Sequence, residues 1–285
     1  MIALGLDHVA LVTPDLAQSK DDYDRLGFTL TRESSHKGRV VPDGPVVPWG
    51  SGNHCAMFRQ GYFEILGLTD PSLYHEHFAA ALKRFNGVSM IALRCESAQA
   101  LYEARQARAS GVLPPVEVGR DVPHGDGAEE GLFRIVHLEE SAFPEVEMLF
   151  IEHATPDVLW QPSLLGHPNK TVALAGITLC SESPEETAAR FERCTGLGGT
   201  GVSGRPTFSL SSGKIDITTP DDISERYPDA VLPAVPSVAV VRLRVSDIET
   251  TTGFLDGSGI TYYERGDTVW VRPERTGGVI LEFVS

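Results

Sequence analysis

Apolar and polar residues alternate in four separate stretches of the chain, and each stretch leads into an acidic or serine residue. The four stretches are LDHVALVTPDL from Leu6, VSMIALRCESA from Val88, LAGITLCSESP from Leu174 and AVVRLRVSDIE from Ala239. Alternation with a period of two predicts a strand with one buried face. Asp15, Ser97 and Ser183 then stand where side chains cap the first turn of a helix. The pattern therefore predicts a strand followed by a helix, repeated four times.

The end of each repeat predicts a strand that carries an acidic residue. The matching quartets are YFEI from Tyr62, FIEH from Phe150, KIDI from Lys214 and ILEF from Ile280. In the first repeat, Gln60 and Gly61 form a two-residue turn that predicts a hairpin of residues 54–59 and 62–68. Each repeat is thus interpreted as one strand, one helix and three further strands.

Four such βαβββ units in tandem predict an α+β protein in which paired units form two cup-shaped mixed sheets. We place the first domain, with the active cup, at residues 1–154 and the second, structural domain at 171–285. Residues 155–170 are rich in proline and short polar side chains and are interpreted as a linker on the surface. Residues 74–85 predict an extra helix, and residues 34–52 a long loop of the kind that closes over substrates.

Composition and charge indicate which classes of protein and which partners are expected. A formal net charge of -15 opposes binding to nucleic acid, because that affinity comes from clustered cations. The sequence has neither a signal peptide pattern nor an apolar run long enough to span a membrane. Its four cysteines lack disulfide or zinc spacing, which favours a reducing cytoplasm. We expect a cytoplasmic protein, monomeric or homodimeric, whose partner is a small-molecule substrate.

The repeat resembles the vicinal oxygen chelate superfamily, and its glyoxalase-like branch in particular. The resemblance is carried by LDHVAL from Leu6, WGSGNH from Trp49, YFEIL from Tyr62 and GHPN from Gly166. It covers nearly the whole chain, and the length of four units is similar to that of extradiol dioxygenases. The resemblance implies the cup-shaped sheets predicted above and a divalent metal ion that binds vicinal oxygens of a substrate.

In that superfamily the metal ligands come from the first and last strands of paired units. The resemblance therefore implies His8, Glu64 and Glu152 as ligands of Mn, Fe, Ni or Zn in the first half. The fourth position holds Met90, whose thioether is a poor ligand for these ions. The alternative is that His8 is a core histidine, that the glutamates face solvent and that no metal is bound.

The second half cannot build the same centre. All nine histidines lie at or before His167, and the four corresponding positions hold Gly176, Asp216, Val240 and Glu282. Extradiol cleavage at the position that the resemblance implies in the second half is therefore not expected. We expect Arg242 and Arg244 to form ion pairs with the two acidic residues there.

Two more histidines are candidates for the first cup. His54 lies on a strand beside the one that carries Glu64, as a ligand, a general base or a group that orients Glu64. His153 is adjacent to Glu152 and should point the opposite way in a regular strand. A ring-cleaving site formed by His8, Glu64 and one of these two histidines remains open.

These residues predict a metal-dependent glyoxalase-like enzyme, a lyase or isomerase, acting on a hydroxyketone, a hemithioacetal or a ring-cleavage intermediate. Glu152 and His54 are the predicted catalytic residues for moving the proton. Two alternatives stay open, a metal-free binding protein that sequesters a small molecule and a dioxygenase with its metal in the first half.

Overall fold

The chain folds into two eight-stranded mixed sheets, which confirms the predicted α+β class with paired cup-shaped sheets. A computed structural model describes residues 4–40, 44–108, 110–202 and 204–285, apart from the side chains of Arg39 and His77. The predicted long loop includes residues 41–43, which lie outside the described residues. Its remainder is largely two strands, so the prediction of a loop over 34–52 was wrong for that part.

The first sheet has the strand order β2-β3-β4-β1-β5-β8-β7-β6. Its strands are β1 (Gly5–Thr13), β2 (Ser34–Arg39), β3 (Val46–Met57), β4 (Tyr62–Leu68), β5 (Gly87–Arg94), β6 (Val116–His124), β7 (Gly127–His137) and β8 (Glu147–His153). The helices of this half are α1 (Leu16–Arg25), α2 (Glu76–Arg84) and α3 (Ala98–Gln106). The predicted helix between the first two units is α2.

The second sheet has the equivalent order β10-β11-β12-β9-β13-β16-β15-β14. Its strands are β9 (Thr171–Cys180), β10 (Thr200–Val202), β11 (Arg205–Ser209), β12 (Lys214–Thr218), β13 (Ser237–Val245), β14 (Tyr263–Arg265), β15 (Thr268–Val271) and β16 (Ile280–Val284). Between the sheets lies α4 (Pro156–Leu159), and the helices that follow are α5 (Pro184–Thr195), α6 (Pro220–Arg226) and α7 (Ile248–Gly257).

Side-chain caps begin three of the four repeated helices, and they align the four units. Asp15, Ser97 and Asp247 each accept a hydrogen bond from a backbone N–H of the first turn, at 2.9, 3.2 and 3.0 Å. Ser183 precedes Pro184 at the start of α5 but makes no such bond. Each cap follows the first strand of its unit by two or three residues, so it identifies equivalent strand positions in all four units.

The two halves share one apolar core. Side chains from the helices and from the helix-facing sides of both sheets form a single buried cluster, which extends from Leu4 to Phe283. Each sheet has a second, separate cluster on its concave side. The division of the chain into two domains at residues 154 and 171 stays a prediction, because the shared core lies across it.

The segment between the sheets is more buried than a surface linker. Leu159 is buried and packs into the concave cluster of the first sheet, as do Val158 and Trp160. His167 accepts from the N–H of Thr29 at 2.9 Å and donates to the carbonyl of Met57 at 2.8 Å. The segment therefore forms part of the wall of the first cup. No helix among the described residues is both long and apolar enough to cross a membrane.

Candidate functional site

A buried carboxylate between two histidines forms the floor of the first cup. Asp7 Oδ1 lies 2.7 Å from Nδ1 of His8, and Asp7 Oδ2 lies 3.0 Å from Nε2 of His153. The register of β1 against β5 is irregular between Leu6 and His8, which allows the consecutive side chains of Asp7 and His8 to meet on one side of the sheet. Asp7 has no exposed surface.

The charge of Asp7 fixes the orientation of both imidazoles. Burial by itself would raise its pKa, but hydrogen bonds and charge from His153 and His8 outweigh burial and hold the pKa of Asp7 far below its usual range. An ionised carboxylate only accepts hydrogen bonds, so Nδ1 of His8 and Nε2 of His153 both carry hydrogen. In the neutral form of the His8 imidazole, Nε2 is then the acceptor nitrogen.

Glu64 provides a second acceptor beside that nitrogen. Its Oε2 lies 3.8 Å from Nε2 of His8. Its Oε1 accepts from the side-chain amide of Asn53 and lies 4.0 Å from Nη1 of Arg120. Burial would raise the pKa of Glu64, but His8 and Arg120 act against burial and lower it. Glu64 is therefore ionised near neutral pH.

Arg120 on β6 places a cation inside this acidic protein. Its side chain is 14% exposed, and its guanidinium lies 5.8 Å from the ring centroid of Phe133. Besides Glu64, its polar neighbour is Sγ of Cys55, which lies 4.0 Å from Nη2. Burial raises the pKa of the Cys55 thiol to about 12. Nε of Arg120 has no hydrogen-bond partner among the described residues.

Aromatic rings close the cup around the two histidines. Tyr62 stacks on His8 with the ring centroids 4.2 Å apart. Trp160, from the segment between the sheets, lies edge-on to both Tyr62 and His153, and its Nε1 donates to the carbonyl of Phe58 at 2.9 Å. This enclosure leaves His8 only 4% exposed, and low exposure strengthens the interactions between charges within the cup.

A cavity of about 260 Å³ opens beside Arg120. Its apolar lining includes Met57, Val122 and Leu159. The described residues that line it hold two arginines, Arg120 and Arg32, and no acidic residue.

The structure does not bring Glu152 together with His8 and Glu64, so the predicted trio is not formed. Glu152 lies on the helix side of β8, where it accepts from the N–H of Ala98 at 2.8 Å and from Arg134 at 2.5 Å. In the parallel ladders, Ala10 pairs with Glu64, whereas the equivalent Ala92 pairs with Leu149. The last strand of the second unit thus has an apolar residue at the ligand position.

His54 also lies outside the cup. It pairs with Ile65, on the side of the sheet that packs against the helices, and its Nδ1 lies 2.8 Å from the carbonyl of Thr31. Its two neighbours, Asn53 and Cys55, face the cup instead. The predicted site position on this strand was therefore wrong by one residue. Consecutive residues of a strand face opposite sides of the sheet, so His54 faces away from the cup. His153 does point opposite to Glu152 as predicted, and that direction is into the cup.

His8 and Glu64 give two protein donors, which is one fewer than catalytic divalent metal sites generally supply. By register, the four positions that the family resemblance assigns to ligands hold His8, Glu64, Met90 and Leu149. A thioether and an alkyl side chain do not bind such ions, and catalytic sites generally supply three protein ligands. Among the described residues, no group of three His, Cys, Asp or Glu side chains is placed to hold a metal.

The second cup contains the ion pairs expected for Arg242. Its Nε donates to Glu282 at 2.6 Å and its Nη1 to Asp216 at 3.1 Å. Arg226 and Tyr227 also donate to Glu282, at 3.0 and 2.9 Å. Arg244 does not take part in this network, because its guanidinium is exposed and donates to Gln60 of the first half. The ion-pair prediction was right for Arg242 and wrong for Arg244.

Sequence reasoning missed Asp7 and Arg120 as site residues. Asp7 stands inside the motif that carries the family resemblance, but regular strand alternation places it opposite His8. Only an irregular register brings the two together. Arg120 lies on β6, whose composition of charged residues, glycine and proline lacks a strand pattern.

Comparison with known proteins identifies the family. The model of the family described as "Glyoxalase-like domain" matches residues 6–195. A hypothetical protein from Staphylococcus aureus superposes with a TM-score of 0.64 at 14% identity, covering 98% of both chains. A triple mutant of 4-hydroxymandelate synthase from Streptomyces coelicolor gives 0.58 at 10% identity, covering 99% of this chain and 92% of that one.

A third solved structure matches over about half of its own length. It is a xylose isomerase-like TIM barrel/4-hydroxyphenylpyruvate dioxygenase fusion protein, with a TM-score of 0.57 at 11% identity, covering 98% of this chain and 48% of that one. At these identities the three structures establish the fold alone. No curated protein matches the sequence.

Proposed function

The chain belongs to the glyoxalase-like domain family, and we propose that its first cup is the active site of a lyase or isomerase that moves a proton on a small oxygenated substrate. One observation carries the proposal. Nε2 of His8 and Oε2 of Glu64 lie 3.8 Å apart in a buried cup, and both are acceptors when His8 is neutral. Two acceptors that converge without a donor mark the position of a substrate proton.

In the proposed reaction His8 is the general base. Its Nε2 takes a proton from a C–H next to a substrate carbonyl, and the electron pair of that bond moves onto the carbonyl oxygen. The resulting imidazolium lies between the carboxylates of Asp7 and Glu64, which stabilise its charge. In a hydroxyketone the hydroxyl proton moves to the new oxyanion, and the imidazolium, after its N–H has exchanged with solvent, returns a proton to the former carbonyl carbon. This completes an isomerisation with no other reactant.

Asp7 is the positioning residue in this scheme. Its bond to Nδ1 keeps Nε2 of His8 as the acceptor, and its bond to His153 prevents the carboxylate from rotating. An amide at residue 7 would present one donor and one acceptor to the two rings and would disturb this choice of tautomer.

The experiment is exchange of substrate C–H for deuterium, followed by proton NMR in D2O. The panel contains small hydroxyketones and the hemithioacetal of methylglyoxal. We expect exchange with the natural chain, a loss of about 100-fold or more in His8→Gln, and a loss of about 10- to 100-fold in Asp7→Asn. The matched control is His54→Gln, a buried histidine on the opposite side of the same sheet, which should exchange at nearly the natural rate.

Two results would reject the proposal: no exchange in any member of the panel, or equal exchange rates in the His8→Gln and His54→Gln variants. Binding of panel members without exchange would favour the metal-free binding protein.

A second candidate function keeps the predicted divalent ion, Mn, Fe, Ni or Zn, between His8 and Glu64. The observation in its favour is the bond from Nδ1 of His8 to Asp7, since metal-binding histidines are commonly oriented by a carboxylate in this way. Elemental analysis of protein purified without an affinity tag tests it. One ion per chain that is lost in both His8→Gln and Glu64→Gln would support this candidate, and a metal content far below one ion after loading would reject it.

A further inference from the structure

Among the described residues, no anion lies at hydrogen-bonding distance from Arg120. The nearest carboxylate oxygen, Oε1 of Glu64, is 4.0 Å from Nη1 and already accepts from Asn53. The contact with Cys55 is a long one to sulfur, and Nε has no partner among the described residues. A guanidinium has five N–H donors, and a buried charge needs well-aligned partners to offset the loss of water.

The cavity beside Arg120 is selective for negative charge. Arg32, the second arginine in its lining, donates to the carbonyls of Gly125 and Gly127 at 2.9 and 3.3 Å and has no acidic partner there. The chain has an overall charge of -15, so a cavity whose described lining includes two arginines and no acid is opposite in charge to the chain as a whole. Its field attracts anions.

The cavity of the second cup has a mixed charged lining instead. It measures about 380 Å³, and its charged lining mixes both signs: Arg205, Lys214, Arg226 and Arg265 with Asp216, Asp222 and Glu225. Arg205 pairs with Asp222, and Lys214 lies 3.1 Å from Asp216. Most of these cations already have anions from the protein, whereas Arg120 has none at bonding distance.

The walls of the first cavity define the rest of the ligand. Met57, Val122, Leu159 and Leu164 form an apolar surface, and Thr31, Ser34, Gln161 and Ser163 contribute polar groups. A small cavity with apolar walls and one buried cation is complementary to a compact apolar molecule with a single anionic group. The planar fork of an arginine matches a carboxylate with two parallel hydrogen bonds.

We propose that Arg120 binds the carboxylate of a small organic acid whose apolar body fills the cavity lined by Met57, Val122 and Leu159. As an account of the substrate, this rests on the proposed function, because Arg120 lies between the cavity and Glu64. The substrate class is then an oxygenated monocarboxylic acid. As an account of binding, it can be tested without turnover.

The test compares phenylacetate with phenylacetamide, its neutral counterpart of similar shape, by calorimetry and thermal shift. The natural chain should bind phenylacetate about tenfold or more tightly than the amide. Arg120→Gln should lose that preference, and Arg120→Lys should keep part of it because the charge remains. The matched control is Arg134→Gln, an arginine on the helix side of β7, which should bind like the natural chain.

Equal binding of acid and amide would overturn the inference, as would binding in Arg120→Gln that is as tight as in the natural chain, or no binding of phenylacetate, butyrate or hexanoate at all. If Arg120→Gln does not fold, the comparison of acid with amide on the natural chain decides. His8→Gln separates the two proposals. Binding that depends on Arg120, with no deuterium exchange of any acid, leaves this inference intact and rejects the proposed function. Exchange of neutral substrates, with no binding of any acid, does the reverse.

Discussion

Glu64 in the first cup and Glu282 in the second occupy the same strand position but are used differently. Glu282 is 1% exposed, and its two oxygens accept from Arg226, Tyr227 and Arg242. Glu64 accepts from Asn53 through one oxygen, and its other oxygen has no donor at bonding distance among the described residues. A carboxylate with all its partners contributes to stability, whereas one with a free oxygen is available to a substrate.

The residue across the parallel ladder explains the difference. Ala10 pairs with Glu64, and its small side chain leaves space in front of the carboxylate. Arg242 pairs with Glu282 and fills the equivalent space with its own guanidinium. The residue at this position of the first strand thus decides whether the glutamate of the cup stays available to a ligand or pairs with a cation of the same sheet.

The largest effect is expected from Arg242→Met, which removes the cation from the second cup. Glu282 and Asp216 would be left partly buried without their shared partner, and stability should fall by about 3–5 kcal/mol. Urea unfolding monitored by circular dichroism measures this fall. The control is Arg244→Met, two residues along the same strand but exposed, which should change stability by less than about 1 kcal/mol.

If stability falls less in Arg242→Met than in Arg244→Met, the ion pairs of Arg242 do not stabilise the second cup. The double variant Arg242→Met with Glu282→Gln should recover part of the loss, because it removes one of the two charges that Arg242 partnered.

An intermediate effect is expected in the dependence of stability on pH. Burial would raise the pKa of Glu282 and of Asp216, but Arg242 and neighbouring cations outweigh burial and lower both from ordinary values of 4.5 and 3.8. A lowered pKa contributes stability that is present above the unfolded value and is lost as pH falls through the folded value.

The free energy of unfolding should therefore decrease from about pH 5 to about pH 3, and less steeply in Glu282→Gln than in the natural chain. Urea titrations at several pH values measure the two slopes. Identical slopes would show that Glu282 is not held ionised by its neighbours.

The smallest effect is expected from Trp160→Phe in the first cup. This change keeps an aromatic ring against Tyr62 and His153 but removes the donor to the carbonyl of Phe58, at a cost of about 1 kcal/mol. Chemical denaturation measures it, with Tyr263→Phe in the second half as a control for loss of a polar group. A change near zero would mean that the segment between the sheets is not fixed to the first cup by this bond.

Much of the fold was predictable from the sequence, because alternation and helix caps are local signals. Asp15 and Ser97 cap the predicted helices, and the four units align on them. In the second unit, the residue equivalent to Glu64 was misassigned. The sequence FIEH resembles YFEI, but strand pairing places Leu149, not Glu152, opposite Ala92. Register depends on pairing between strands, which a single strand's sequence does not specify.

The candidate site was predictable only in part for the same reason. His8 and Glu64 follow from the repeat and the family resemblance. Asp7 depends on an irregular register, and Arg120 on a strand from the far edge of the sheet that curves over the cup. Long-range placement of this kind leaves no periodic trace in the sequence.

The turn at Gln60 and Gly61 makes the two halves mechanically interdependent. Gly61 has a φ of +75°, and a Cβ there would lie 2.7 Å from the carbonyl oxygen of Asp7. The same turn exchanges backbone hydrogen bonds with β9, from Arg59 to Val172 and from Leu174 to Gln60. A fragment ending at residue 154 would lose these bonds together with the tryptophan that covers the histidines. Engineering of the first cup therefore has to retain the second half as its support, even where that half takes no part in the chemistry.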